Sequence, residues 1–245
     1  METIKRELDD YRVLMRSIPG SVLSLFIVSI IVMNLLANKE FFSVKYLALD
    51  CGFTMSWVSF LCMDMICKHF GPKAAVKVSV TALLVNLAVC VLFKLISLTP
   101  GMWAEYYTTG MIEVNDALNA TVGGNWFVVF GSSTAMLVSA VCNAFLNSFV
   151  GEKTRNDNFR SFALRSYIST GVAQFVDNLV FALIVARTFF GWTMVQIFVC
   201  SLTGACVELL CEMLLGPVGY RVTRTWKREN VGKAYLQLHA KERIA

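Results

Sequence analysis

The stretch from Phe162 to Ala186 is long enough to cross a bilayer, yet it carries Ser166, Ser169, Thr170, Gln174 and Asp177. A hydrogen-bonding or ionised group placed in hydrocarbon is costly unless it meets a partner. Positions 166, 170, 174, 177 and 181 recur every three or four residues, so these groups and Phe181 fall on one helical face that can turn toward neighbouring helices. Other apolar segments are interrupted by Asn34, Asp64, Asn86, Asn143 with Asn147, and Glu208 with Glu212. Carboxylates accept adjacent N–H donors side by side, and carboxamides offer both a donor and an acceptor. Phe175, Phe181, Trp57 and Phe130 supply stacking faces. A planar heterocycle with amide-like edges suits this set, and a guanine-type edge matches one carboxylate well; sugars and amino acids bind through the same group types.

Each of these residues also has a plainer role open to it. Asp64 precedes Lys68 at the helix-supporting spacing of four, and Glu212 lies near a span end where it can reach a basic tail residue. Asn34, Asn86 and Ser169 can act as interhelical glue. Asp177 is different, because no Lys or Arg lies within a turn of it and its partner must come from another helix or from a ligand.

The elements that must position these groups are membrane helices. Hydrophobic residues make up 56% of the 245 and charged residues only 16%, in apolar blocks too long for soluble core helices. Six spans are predicted: 18–37, 46–67, 76–96, 126–150, 162–186 and 192–215. Of the 22 Lys and Arg residues, 18 fall in the N-terminus, the second and fourth loops with the span ends that adjoin them (Lys77 and Arg165) and the tail, which predicts cytoplasmic termini. The expected class is an all-α polytopic membrane protein with one membrane domain over 1–245. It comprises an interfacial segment (1–17), a six-helix bundle (18–217) and a basic cytoplasmic tail (218–245).

Ile4, Leu8, Tyr11 and Met15 share a face, predicting a short helix on the cytoplasmic interface, and the apolar run that follows is too long for a cleaved signal. Gly71-Pro72 predicts a corner between spans two and three, and Gly216-Pro217 the end of the last span. The connection 99–125, acidic and aromatic, reads as a lid or an interfacial aromatic cap. The basic residues are scattered over four loops without a base-stacking motif, so no nucleic-acid partner is expected. Cys62, Cys67, Cys90, Cys142, Cys200, Cys206 and Cys211 lie inside spans, Cys51 lies near the outer surface, none forms a CxxC pair, and neither His69 nor His239 favours a metal site. With no HExxH, no GxSxG and no Ser-His pair, no catalytic residue, metal or cofactor is expected.

The block Ala163-Leu164-Arg165-Ser166-Tyr167-Ile168-Ser169-Thr170-Gly171-Val172-Ala173-Gln174-Phe175-Val176-Asp177, with Phe181 after it, resembles the signature of the queuosine precursor transporter family, also called vitamin-uptake-transporter-like proteins. Further matches are Asn34 to Lys39, Asp64 followed by Phe70-Gly71, and Pro217 with Tyr220, so the similarity runs from about Asn34 to Arg224. Two positions depart from the pattern: Lys68 stands where the family usually has an acid, and the Arg usual just after Phe130-Gly131 is missing. The resemblance implies a multi-pass inner-membrane importer for deazaguanine bases such as queuine or a pre-queuosine base, salvaged for tRNA modification. It places Asn34, Asp64, Gln174 and Asp177 at the ligand site and Arg165 at its cytoplasmic mouth. The polar pattern adds Asn86, Asn143, Ser169, Phe181 and Glu208 as candidates. The alternative is a substrate-binding membrane subunit of an energy-coupling-factor importer, which usually docks through small residues on span one; 18–37 shows no Ala-rich stripe. A coupling proton on Asp177 or Glu208, facilitated diffusion, and a homo-oligomer all stay open.

Overall fold

Pro19 sets the first corner. The computed structural model describes residues 2–153 and 159–240, and within them the side chains other than those of 2–4, 140, 143–153, 159–169, 212 and 240. Helix α1 (Glu2–Ser17) ends where Pro19 has no N–H to continue the ladder, and the Pro19 carbonyl becomes the first acceptor of α2 (Gly20–Leu36). The two axes meet at 102°. A bend that large suits an amphipathic α1 lying along a membrane surface while α2, apolar on all sides, enters it.

After α2 the chain forms an antiparallel hairpin, β1 (Glu40–Ser43) and β2 (Ala48–Asp50), with Glu40 opposite Asp50 and Ser43 opposite Ala48. The predicted second span therefore begins late. Its first residues pair as a strand because so short an apolar run satisfies either a strand or a helix. Asp50 Oδ1 accepts the Gly52 N–H at 2.7 Å, a turn that closes the strand and releases the chain into α3 (Phe53–Phe70). Gly71, at φ +94°, then reverses direction, and Pro72 opens α4 (Pro72–Ser97), as expected for a left-handed glycine followed by proline at the first helical position.

The predicted connection 99–125 is largely helical, made of α5 (Ala104–Thr109) and the opening turns of α6 (Ile112–Lys153). Trp103 ties the two, its backbone N–H donating to Asn115 at 2.9 Å and its indole N–H to Asn119 at 2.7 Å. Then come α7 (Phe159–Phe181), a π turn (Ala182–Ala186), α8 (Arg187–Phe190), α9 (Met194–Arg228) and α10 (Lys233–Ala240). Helix α9 runs through Pro217, where the sequence predicted an end. Proline forfeits one backbone hydrogen bond and crowds the preceding turn, a cost a long helix can absorb by bending.

The described residues are all-α apart from the hairpin. Among the described residues three segments are long and apolar enough to cross a membrane, namely Pro72–Ser97, Thr170–Phe190 and Met194–Cys211, and the bent pair α1 and α2 makes a fourth if counted as one span. The remaining two predicted spans coincide with α3, which carries Asp64, Lys68 and His69, and with α6.

Two compact units emerge. The first comprises Met1–Ile31, Met55–Val85 and Cys211–Ala245. Leu14, Phe26, Cys62, Ile66, Val78 and Trp226 form its core, with Tyr235 from α10 edge-on to Phe70 at 6.1 Å. Lys77 bridges Glu7 at 2.8 Å and Asp10 at 2.6 Å, and His239 lies 2.7 Å from the other oxygen of Asp10. Burial pushes the Asp10 carboxyl up, but hydrogen bonds from Lys77 and His239 outweigh it and hold the group below the usual carboxylate value.

The second unit comprises Val32–Thr54 and Asn86–Leu210. Ala48 and Leu49 of the hairpin pack on Ala182, Ala186, Trp192, Ile197 and Cys200, so the hairpin sits against the π turn and the start of α9. The Trp192 indole N–H donates to Glu40, and Gln196 donates to the Val44 carbonyl at 3.0 Å. A second cluster, Ala37, Val128 and Val185, packs where Gly131 leaves no room for a side chain against Val185.

Candidate functional site

The polar stripe of α7 lies between α6 and α9 in the second unit. Ser139 of α6 donates to Asp177 Oδ1 at 3.0 Å, which supplies the interhelical partner that Asp177 requires and leaves its second oxygen without a hydrogen bond among the described residues. One position on, Asn178 Nδ2 donates both to the Gln174 backbone carbonyl at 3.0 Å and to Glu208 Oε2 of α9 at 3.1 Å. Gly204, one turn before Glu208, makes this approach feasible: a Cβ there would come within 3.2 Å of the Asn178 amide nitrogen. Asn178 was not singled out from the sequence. Its place four residues after Gln174 and three before Phe181, on the same face, was the available signal.

Gln174 itself is buried, 2% exposed, and neither its amide nitrogen nor its amide oxygen has a hydrogen-bond partner among the described residues. Asn86, on α4, is fully buried and is orphaned in the same way at both atoms. Buried polar side-chain atoms without partners are uncommon in folded proteins, and each costs about 1–3 kcal/mol. Two complete carboxamides in this condition, both among the residues picked out by their place in apolar helices, are the feature of this unit that asks for a function.

One turn along α4 from Asn86, Cys90 accepts from Asn125 Nδ2 at 3.6 Å, and Asn125 Oδ1 in turn accepts from Asn38 at 2.7 Å. Asn34 is buried, and its backbone carbonyl accepts from the same Asn38 amide at 3.3 Å, beside the Leu35 carbonyl at 3.1 Å. Here the Asn38 and Asn125 carboxamides are hydrogen-bonded to each other, in contrast to Asn86. The hairpin contributes a group that sequence reasoning missed: Cys200 of α9 lies within electrostatic reach of both Asp50 and Glu208. Asp50 sat inside an expected helical span, and nothing local distinguished it.

Other candidates are placed differently. Asp64 belongs to the first unit, in an ion pair with Lys68 at 2.6 Å whose side chains are 38% and 61% exposed, a surface pair of little energetic weight. Phe181 packs into the apolar cluster of Ala37, Val128 and Val185, and Phe175 stands edge-on to Phe198 at 5.5 Å. Phe130 is exposed, and Trp57 packs against the core of the first unit. Asn143, Arg165 and Ser169 lie outside the residues whose side chains are described.

Over residues 50–222 the chain matches the family model described as "Putative vitamin uptake transporter". The chain belongs to that family. It corresponds to queuosine precursor transporter-like proteins, in agreement with the signature at Arg165 to Asp177. Asp64, Asn86, Gln174, Asp177 and Glu208 fall inside the matched segment, and Asn34 precedes it. No curated protein and no solved structure matches the chain. Family membership and the apolar helices together make it a membrane protein of the transporter class.

Proposed function

We propose that this transporter imports a queuosine precursor, a deazaguanine base such as queuine or a pre-queuosine base, across the inner membrane for tRNA modification salvage. The observation that carries the proposal is the pair of orphaned carboxamides, Gln174 and Asn86. Each presents one donor face and one acceptor face that water cannot reach, which is what the amide-like edge of such a base would complete. Asp177, with one oxygen held by Ser139, has a second oxygen to accept a ring or exocyclic N–H. In this arrangement the chain spans the membrane six times, with α3 and α6 as the second and fourth spans and both termini cytoplasmic. It acts as a carrier and not as an enzyme.

A base crossing such a site exchanges its hydration for protein hydrogen bonds part-way across, and the orphaned groups lower the cost of that exchange because they have no bonds to break. The test is uptake of labelled deazaguanines, with ordinary purines beside them, in a host lacking its own carrier and any energising module. Uptake of the deazaguanines alone supports the reading. Equal uptake of adenine and guanine, or a requirement for an added energising complex, overturns it.

A further inference from the structure

Beside α1, α4 and α10 the first unit has an open cavity of about 980 Å³, removed from the polar stripe of α7 in the sequence and made of different residues. Its charges do not balance locally. Glu7 and Asp10 are taken up by Lys77, Asp10 also by His239, and Asp9 by Arg12 at 3.4 Å. Every acid lining the cavity thus already has a cation, whereas Lys5 and Lys73 on the same lining have no partner among the described residues. Across from them the wall is apolar and partly uncovered, with Val76 61% and Leu238 52% exposed and Val13 half-buried beneath.

Uncompensated ammonium groups beside exposed aliphatic side chains are complementary to an amphiphile with an anionic head. The 102° bend between α1 and α2 suits an α1 lying along the membrane surface, and in that placement the cavity would sit at the level where a bilayer presents such heads. We infer that this cavity is a binding site for an anionic phospholipid, with Lys5 and Lys73 on the phosphate and Val13, Val76 and Leu238 against the first methylenes of the chains. The ion-paired cluster of Lys77, Asp10, Glu7 and His239 forms the floor that holds α1 and α10 in position.

The experiment is titration of the full chain, purified in a neutral detergent, with phosphatidylglycerol or phosphatidylcholine, read by native mass spectrometry. Phosphatidylglycerol binds and phosphatidylcholine does not. At roughly fivefold per lysine near an anionic surface, Lys5→Gln/Lys73→Gln weakens phosphatidylglycerol binding by about thirtyfold. Both lysines are exposed and without a partner among the described residues, so the variant keeps the wild-type melting temperature in phosphatidylcholine. Lys227→Gln/Lys233→Gln removes the same charge from a different groove and leaves binding unchanged. Equal loss in the two double variants means diffuse surface attraction and overturns the site. Competition by free glycerol phosphate as effective as the lipid itself assigns the cations to a soluble anion and overturns the lipid.

Discussion

Replacing Gln174 by methionine separates a ligand-facing carboxamide from a structural one, because the two roles predict opposite signs. The side chain is of nearly the same volume and shape, so packing is largely conserved, while two desolvated and unpartnered atoms are removed. With each orphan worth about 1–3 kcal/mol in water-soluble proteins, and side-chain hydrogen bonds in membranes averaging nearer 0.6 kcal/mol, a net gain of about 1–3 kcal/mol is expected. For a chain of this size that raises the midpoint of thermal unfolding by about 3–10 °C in the ligand-free protein. Uptake of the deazaguanine falls to background, and ligand at about a hundred times its Kd, which stabilises the parent by about 2.7 kcal/mol, no longer shifts the variant. The assay is thermal unfolding in detergent with and without ligand, paired with uptake in whole cells. A Gln174→Met protein that melts several degrees lower and still transports would show that the carboxamide holds helices together, and the reasoning would be wrong.

Asp177→Ala abolishes uptake while the protein still reaches the membrane, and Asp177→Asn, which keeps an acceptor for Ser139 but loses the charge, weakens ligand binding by about 10- to 150-fold. Normal uptake by either variant removes Asp177 from the site. Gly204→Val places methyl groups against Asn178 and separates it from Glu208, so binding by calorimetry weakens at least tenfold, by roughly the worth of a hydrogen bond to a charged group; unchanged affinity would make the Asn178 contact incidental. Burial pushes the Asp50 carboxyl up to about 6, against a smaller opposing effect of the Gly52 N–H. Because the folded pKa exceeds the unfolded value of about 3.9, the native state holds the proton more tightly. Stability is full below about pH 4 and falls by about 3 kcal/mol as pH rises to about 6. Asp50→Asn flattens that decline and melts higher than the parent at neutral pH; parallel melting curves for the two across this range would contradict the assignment.

Much of the fold was legible because its signals are local. The shared face of Leu8, Tyr11 and Met15 predicted α1, Gly71-Pro72 predicted the corner into α4, and the spacing of Asp64 and Lys68 predicted their ion pair. Other features depend on energies that no local window contains. Tyr46 to Asp50 is apolar enough for a helix and becomes a turn and strand because Ala48 and Leu49 find a surface formed by the π turn and α9, about 140 residues later. Pro217 looked like a helix end, yet α9 passes through it.

Residue types and period alone determined that one face of α7 carries Gln174, Asp177 and Phe181, because a helix converts spacing into direction without help from the rest of the chain. Only the tertiary structure decided which of those groups are satisfied. Asp177 has Ser139, 38 residues away, and Asn178 has Glu208, 30 residues away, while the Gln174 and Asn86 side chains have no hydrogen-bond partner among the described residues. Whether a buried amide is structural or waiting for a ligand depends on what packs against it, and that is set by long-range contacts that leave no periodic trace in the sequence.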